Sequence, residues 1–248
     1  MPTCELVAAD APLLHAYRSV VDVLDTDRRA WIVGLGRLVG VRSLDPTPDL
    51  GSLLAQAMLD GKFPTGPCPM QLGDLVYDCG TMSARAEMLL PAGRPMEYRI
   101  VAGPRSLAVA LTRNGYLDDG TVDPGHVQLA DAESLLVDAV VLTQRLARLV
   151  SHVGVCHLAL GIASDIPQRP LELRAFDEEY GERLRPPIGY DEFDPVYGEF
   201  RTDLAGDDLD LWLWDTSLSV AEQFGVFMPQ MIRRPQGSQQ PTWRLGPL

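Results

Sequence analysis

Lysine is almost missing from this chain of 248 residues: Lys62 stands alone against 20 arginines. We read that imbalance as coding bias of a GC-rich genome. Positive charge of any kind is in short supply, with a formal net charge of −13. Binding to a phosphate backbone needs clustered Lys and Arg, so direct nucleic-acid binding is disfavoured. Cysteine is also scarce. Cys4, Cys68, Cys79 and Cys156 are scattered, which reads as free thiols of a reducing, cytoplasmic compartment and not as a disulfide frame. No apolar run reaches the ~18 residues of a membrane span. The opening "MPTCELVAAD" lacks the basic and apolar regions of a secretory signal. There is no G-x-S-x-G turn to carry a serine nucleophile, and Ser83, Ser106, Ser134 and Ser164 stand in ordinary contexts. Only four histidines are available as bases.

What is present is enough apolar sequence, 46%, to build a sizeable core. The spacing predicts a helix over 10–25 with Leu13, Tyr17, Val20 and Leu24 on one face, and a short helix over about 49–60. A Gly/Pro stretch at 61–80 is the best internal boundary of an otherwise single domain. Strands are expected over about 82–90, 96–103 and 106–113, broken by "PAGRP", "GPR" and "NG". The clearest helix runs over 131–153, with Asp131 at its cap. Leu135, Ala139, Leu142, Leu146, Leu149 and Val153 recur on one side, and Gly154 is its stop. "VCHLALGIA" and "PLELRAF" follow as strands, then a long loop over 177–206 and a helix over 207–225 capped by Asp207 or Asp208. The tail 233–248 is polar and reads as loose.

"AWIVGLGRLVG", residues 30–40, resembles a dinucleotide turn but fails it on context. The third glycine arrives one residue late, and Pro46 and Pro48 would cut the helix that must follow. The better reading is a buried strand in which Gly34 and Gly36 allow close packing.

The remaining chemistry is diffuse. His152, Cys156 and His157 lack a second ligand pair for zinc, so no metal or cofactor is expected. His126, in "DDGTVDPGH", is the histidine that reads as most exposed, with Asp118, Asp119 and Asp123 near it in sequence. Between Asp165 and Asp215 lie 15 acidic and 5 basic residues, which places −10 of the net −13 there. Within that block acids and aromatics interleave: Asp177, Glu178, Glu179, Tyr180, Tyr190, Asp191, Glu192, Phe193, Asp194 and Tyr197. Carboxylates beside rings suit recognition of an Arg-bearing surface. A loop that folds back to bury its rings is the plainer alternative.

"LDTDRRAWIVGLGRL", "VQLADAESLLVDAVVLTQRLARLV" and "SVAEQFGVFMPQM" resemble pieces of the region that follows the Schlafen/AlbA-type domain in some actinobacterial proteins. The resemblance implies an accessory or sensing role and transfers no site residue.

The expectation is therefore an α+β protein with one mixed or mainly antiparallel sheet and three or four packed helices. The sheet should hold the 30s strand, the 82–113 series and the 155–176 pair, with the two strongest helices on one face. The function expected is non-catalytic: regulation or protein interaction through the acidic, aromatic-bearing segment 177–206. The expected partner is another protein with a basic surface, without a membrane, and an oligomer is left open. The rivals are a hydrolase using carboxylates of 177–194 or His126, and a small-ligand sensor.

Overall fold

The computed structural model describes residues 11–41, 51–52, 71–72, 76–78, 81–90, 94–103, 105–113, 115–116, 122–167, 170–175, 188–190 and 193–235. The fold is α+β, built on a mainly antiparallel sheet. Six long strands form its body: β1 (Trp31–Leu38), β4 (Thr81–Leu90), β5 (Arg94–Ala102), β6 (Ser106–Arg113), β10 (Val155–Ala163) and β13 (Val196–Arg201). Their order is β13-β10-β1-β6-β5-β4. Short pieces β2 (Gln71–Leu72) and β3 (Val76–Asp78) both pair with β4. All of these pairings are antiparallel. Two smaller sheets complete the description. β7 (Gly115–Tyr116) pairs with β8 (Val122–Asp123), while β11 (Leu171–Arg174) lies between β12 (Ile188–Tyr190) and, in parallel, β9 (His126–Gln128).

Among the described residues three long helices flank the main sheet: α1 (Ala11–Val21), α2 (Leu129–Leu149) and α3 (Gly206–Gln223). None of the described helices is long and apolar enough to cross a membrane. The period-2 pattern of β1 sorts its residues between two cores. Trp31, Val33 and Leu35 join Leu13, Tyr17 and Val20 of α1. Ile32 and Leu38 join the larger core under α2 and α3, with Leu107, Val109 and Leu111 of β6 and Leu158 and Leu160 of β10.

"WIVGLGRL" is thus a strand in the middle of the sheet, and its glycines face α2. A Cβ at residue 34 would stand 2.9 Å from Ala139 Cβ, and one at residue 36 would overlap the Thr143 side chain. The absent side chains let the helix backbone approach the strand closely. The same device recurs on the other face, where the Tyr17 hydroxyl occupies the space a side chain on Gly161 would need.

The strands expected over 82–113 form where the breakers placed them, and the two strongest helices share one face. Several local readings are corrected. The helix over 131–153 begins two residues earlier, with Gln128 as its cap residue, and Asp131 lies in its first turn. It ends at Leu149, because Ser151 takes the left-handed conformation (φ 52°) expected of Gly154. Val153 is therefore left exposed. The helix over 207–225 is preceded by Ala205 as cap residue, with Asp207 and Asp208 in its first turn. The 155–176 pair divides, since β11 leaves the main sheet to pair with β9 and β12. The short helix over 49–60, the stretch 61–80 and the tail beyond 235 lie wholly or mainly outside the described residues.

Candidate interaction edge

Several of the charged groups drawn into the protein are engaged with its own fold. Glu97 of β5 is 1% exposed and receives three guanidinium groups: Arg29 at 2.5 Å, Arg85 at 2.8 Å and Arg99 at 2.5 Å. Arg29 and Arg99 also sit over the Trp31 ring, each 5.0 Å from its centroid, and the Trp31 indole N–H donates to Asp25. The Arg29 guanidinium and this indole, working against partial burial, hold the Asp25 carboxyl below its ordinary value. Glu133 of α2, fully buried, accepts from the backbone N–H groups of Gln230, Met231 and Ile232. The Tyr98 hydroxyl donates to Asp138 at 3.1 Å in the core, and burial first, then this carboxylate, pushes the Tyr98 hydroxyl well above its ordinary value. These groups tie β5 to the turn between α1 and β1, β5 to α2, and the segment after α3 to α2.

His126 is corrected: it is buried in β9, 2% exposed, because β11 covers that strand. Among the described residues no group of three or more His, Cys, Asp or Glu side chains is placed to hold a metal ion.

Of the acidic and aromatic residues, Asp177, Glu178, Glu179, Tyr180, Asp191 and Glu192 lie outside the described residues, and Tyr190 ends β12. Phe193 is 2% exposed and packs edge-on against Phe224, 6.4 Å between centroids. Its ring is core and faces no partner. Asp194 is exposed, with its backbone fixed by both ends of the Gln223 amide at 3.0 and 2.8 Å. Tyr197 is half-buried against the α1 core. Burial raises its hydroxyl while the Arg18 guanidinium works in the other direction.

The segment expected to be a loop over 177–206 contains two strands among the described residues, β12 and β13, and β13 ends the main sheet. The missed signal was alternation: Val196, Gly198 and Phe200 point to the α3 side, Tyr197, Glu199 and Arg201 to the α1 side. Proline and glycine obscured it.

Which backbone groups of β13 face outward follows from two bonds. Val39 N–H donates to Val155 C=O, so residue 155 points to β1 and residue 156 to β13. Thr202 N–H donates to Gly154 C=O, in step with Phe200 opposite Cys156. Antiparallel pairs alternate, so Val196, Gly198 and Phe200 bond to β10, and Tyr197, Glu199 and Arg201 turn outward. Two outward carbonyls are occupied. The Trp212 indole N–H donates to Glu199 C=O at 2.8 Å, its ring lying across Gly198, and Leu204 N–H donates to Arg201 C=O at 3.0 Å. Among the described residues nothing pairs with the N–H groups of Tyr197, Glu199 and Arg201 or with Tyr197 C=O.

The edge is mainly acidic. Asp194 precedes the strand; Glu199 is on it; Asp203, Asp207 and Asp208 follow, all exposed, with Arg201 the one Lys or Arg in residues 194–208 and Arg18 of α1 standing near Tyr197. Arg201 is bound at 2.7 Å by Asp203, whose carboxyl it holds below the ordinary value. His157 stands 3.5 Å from Glu199. No protein-family model matches the chain, and no curated protein is similar to it.

Proposed function

We propose that this chain is a non-catalytic interaction protein whose partner binds at the acidic end of its sheet. One observation carries the reading: a strand edge whose outward backbone donors are unused among the described residues, in the part of the sequence that holds most of the negative charge. Such an edge attracts a basic surface at long range and offers directional bonds at contact. The engagement of Glu97, Glu133, Asp138 and Asp25 with the fold supports it, since these groups stabilise the platform. The resemblance to a region following a Schlafen/AlbA-type domain agrees with an accessory role.

The test is capture of a partner from native lysate by the intact chain at ~50 mM and ~300 mM salt. It runs beside a variant with Asp194→Asn, Glu199→Gln, Asp203→Asn and Asp207→Asn. A defined basic protein retained by the wild type at low salt, and lost by the variant and at high salt, is the expected result. An isolated monomer with no partner at either salt sinks the reading.

A further inference from the structure

We infer that the occupant of this edge is an extended, basic segment of another protein, bound as an added strand along β13. The inference rests on the interaction reading and names the mode and chemistry of binding. A strand at a sheet edge is normally defended against pairing by charges, bulges or a covering element. On β13 that defence is partial. Trp212 covers one carbonyl, and among the described residues nothing covers the neighbouring donors. The charges select partners instead of refusing all of them. A second copy of this chain, itself at −13, brings the same acids to the same place and is repelled. A strand with alternate Lys or Arg meets Glu199 on the sheet face and Asp194 and Asp203 at the strand ends.

The available groups limit the contact to about four backbone hydrogen bonds, each worth only ~1 kcal/mol net. Charge attraction supplies the rest and makes binding salt-sensitive. The backbone arrangement also provides a clean variant. Because residue 199 turns its N–H outward, proline there removes no bond to β10 and is compatible with an edge strand. Glu199→Pro and Glu199→Gln then lose the same charge, and the proline variant alone loses the N–H.

The probe is an eight-residue peptide of alternating Lys and Val with blocked ends, titrated against the full chain by fluorescence anisotropy. A matched peptide N-methylated on alternate residues, in each of the two phases, and a Glu/Val peptide serve as comparisons. We expect the Lys/Val peptide to slow hydrogen exchange at Tyr197, Glu199 and Arg201. In at least one phase N-methylation should weaken binding tenfold or more, and the Glu/Val peptide should bind at least tenfold more weakly. Glu199→Pro should bind several-fold more weakly than Glu199→Gln. Equal binding of both methylated peptides, or equal loss in the two variants, overturns strand addition while leaving a charge-driven interaction standing. No protection of the three amides overturns it as well. So does a dimer of the free chain, seen by sedimentation, that Glu199→Pro dissociates, because the edge would then belong to a second copy.

Discussion

At the scale of single residues, the tightest fit is between Gly36 and Thr143. The Thr143 hydroxyl, which donates to Ala139 C=O at 2.6 Å, fills the place of a Cβ on residue 36. Gly36→Ala should therefore destabilise by about 3 kcal/mol, the scale of an overpacked core, with part of the loss recovered on adding Thr143→Ala; urea unfolding checks both. Asp210 presents the opposite problem. It is 4% exposed on α3, and its Oδ2 has no hydrogen-bond partner among the described residues. Burial, and then the Asp207 carboxylate, raise its pKa above the ordinary 3.8. A raised folded-state pKa means that the fold favours the protonated form. The contribution is present at acid pH and is lost as pH rises through the folded value. Asp210→Asn should accordingly stabilise the protein by ~1 kcal/mol at pH 7, with the advantage shrinking towards zero near pH 4. Thermal melts across that range give the answer. Ser151 spends its backbone in left-handed space just past α2, so Ser151→Gly should add about 0.5–1 kcal/mol in the same assay.

At the scale of elements, one side chain of α2 grips the segment after α3. The two Glu133 oxygens receive the N–H groups of residues 230–232, and Ile232 enters the core behind them. Glu133→Gln places an amide NH₂ against backbone donors. It should cost about 2–3 kcal/mol and raise hydrogen exchange at Gln230, Met231 and Ile232 before any effect on β1. Nothing in "DAES" announces this role, because the partners of Glu133 lie almost a hundred residues on. Elements with local signals were legible. Leu135, Ala139, Leu142 and Leu146 recur at helical spacing and are all buried. "EYRIVAG" and "SLAVALTRNG" alternate between breakers and pair as β5 and β6. What escaped was settled by distant partners. "VYGEFR" alternates as a strand should, yet Pro195 and Gly198 suggested a loop until β10 supplied its ladder. His126 looked exposed because "DDGTVDPGH" is polar, but β11 covers it. Of the proposed interaction surface, sequence pointed to the acidic block, and Asp194 and Tyr197 lie on or beside the edge. Phe193 went to the core because Phe224 offered it a ring.

At the scale of the whole molecule, α1 packs on one side of β1 and α2 on the other, so the two cores share a strand. Trp31 reports from the first core, and Trp212 and Trp214 pack against the second. If the described body is one cooperative unit, tryptophan fluorescence and far-ultraviolet dichroism should fall together in urea with a common midpoint. Separated transitions would show that the cores unfold independently. The Gly36–Thr143 fit crosses this architecture and binds two distant stretches of sequence into one heritable unit. A methyl gained at position 36 is tolerated only by a chain that has already trimmed position 143. Among descendants of this fold, a side chain at position 36 should therefore be met only where position 143 is already smaller.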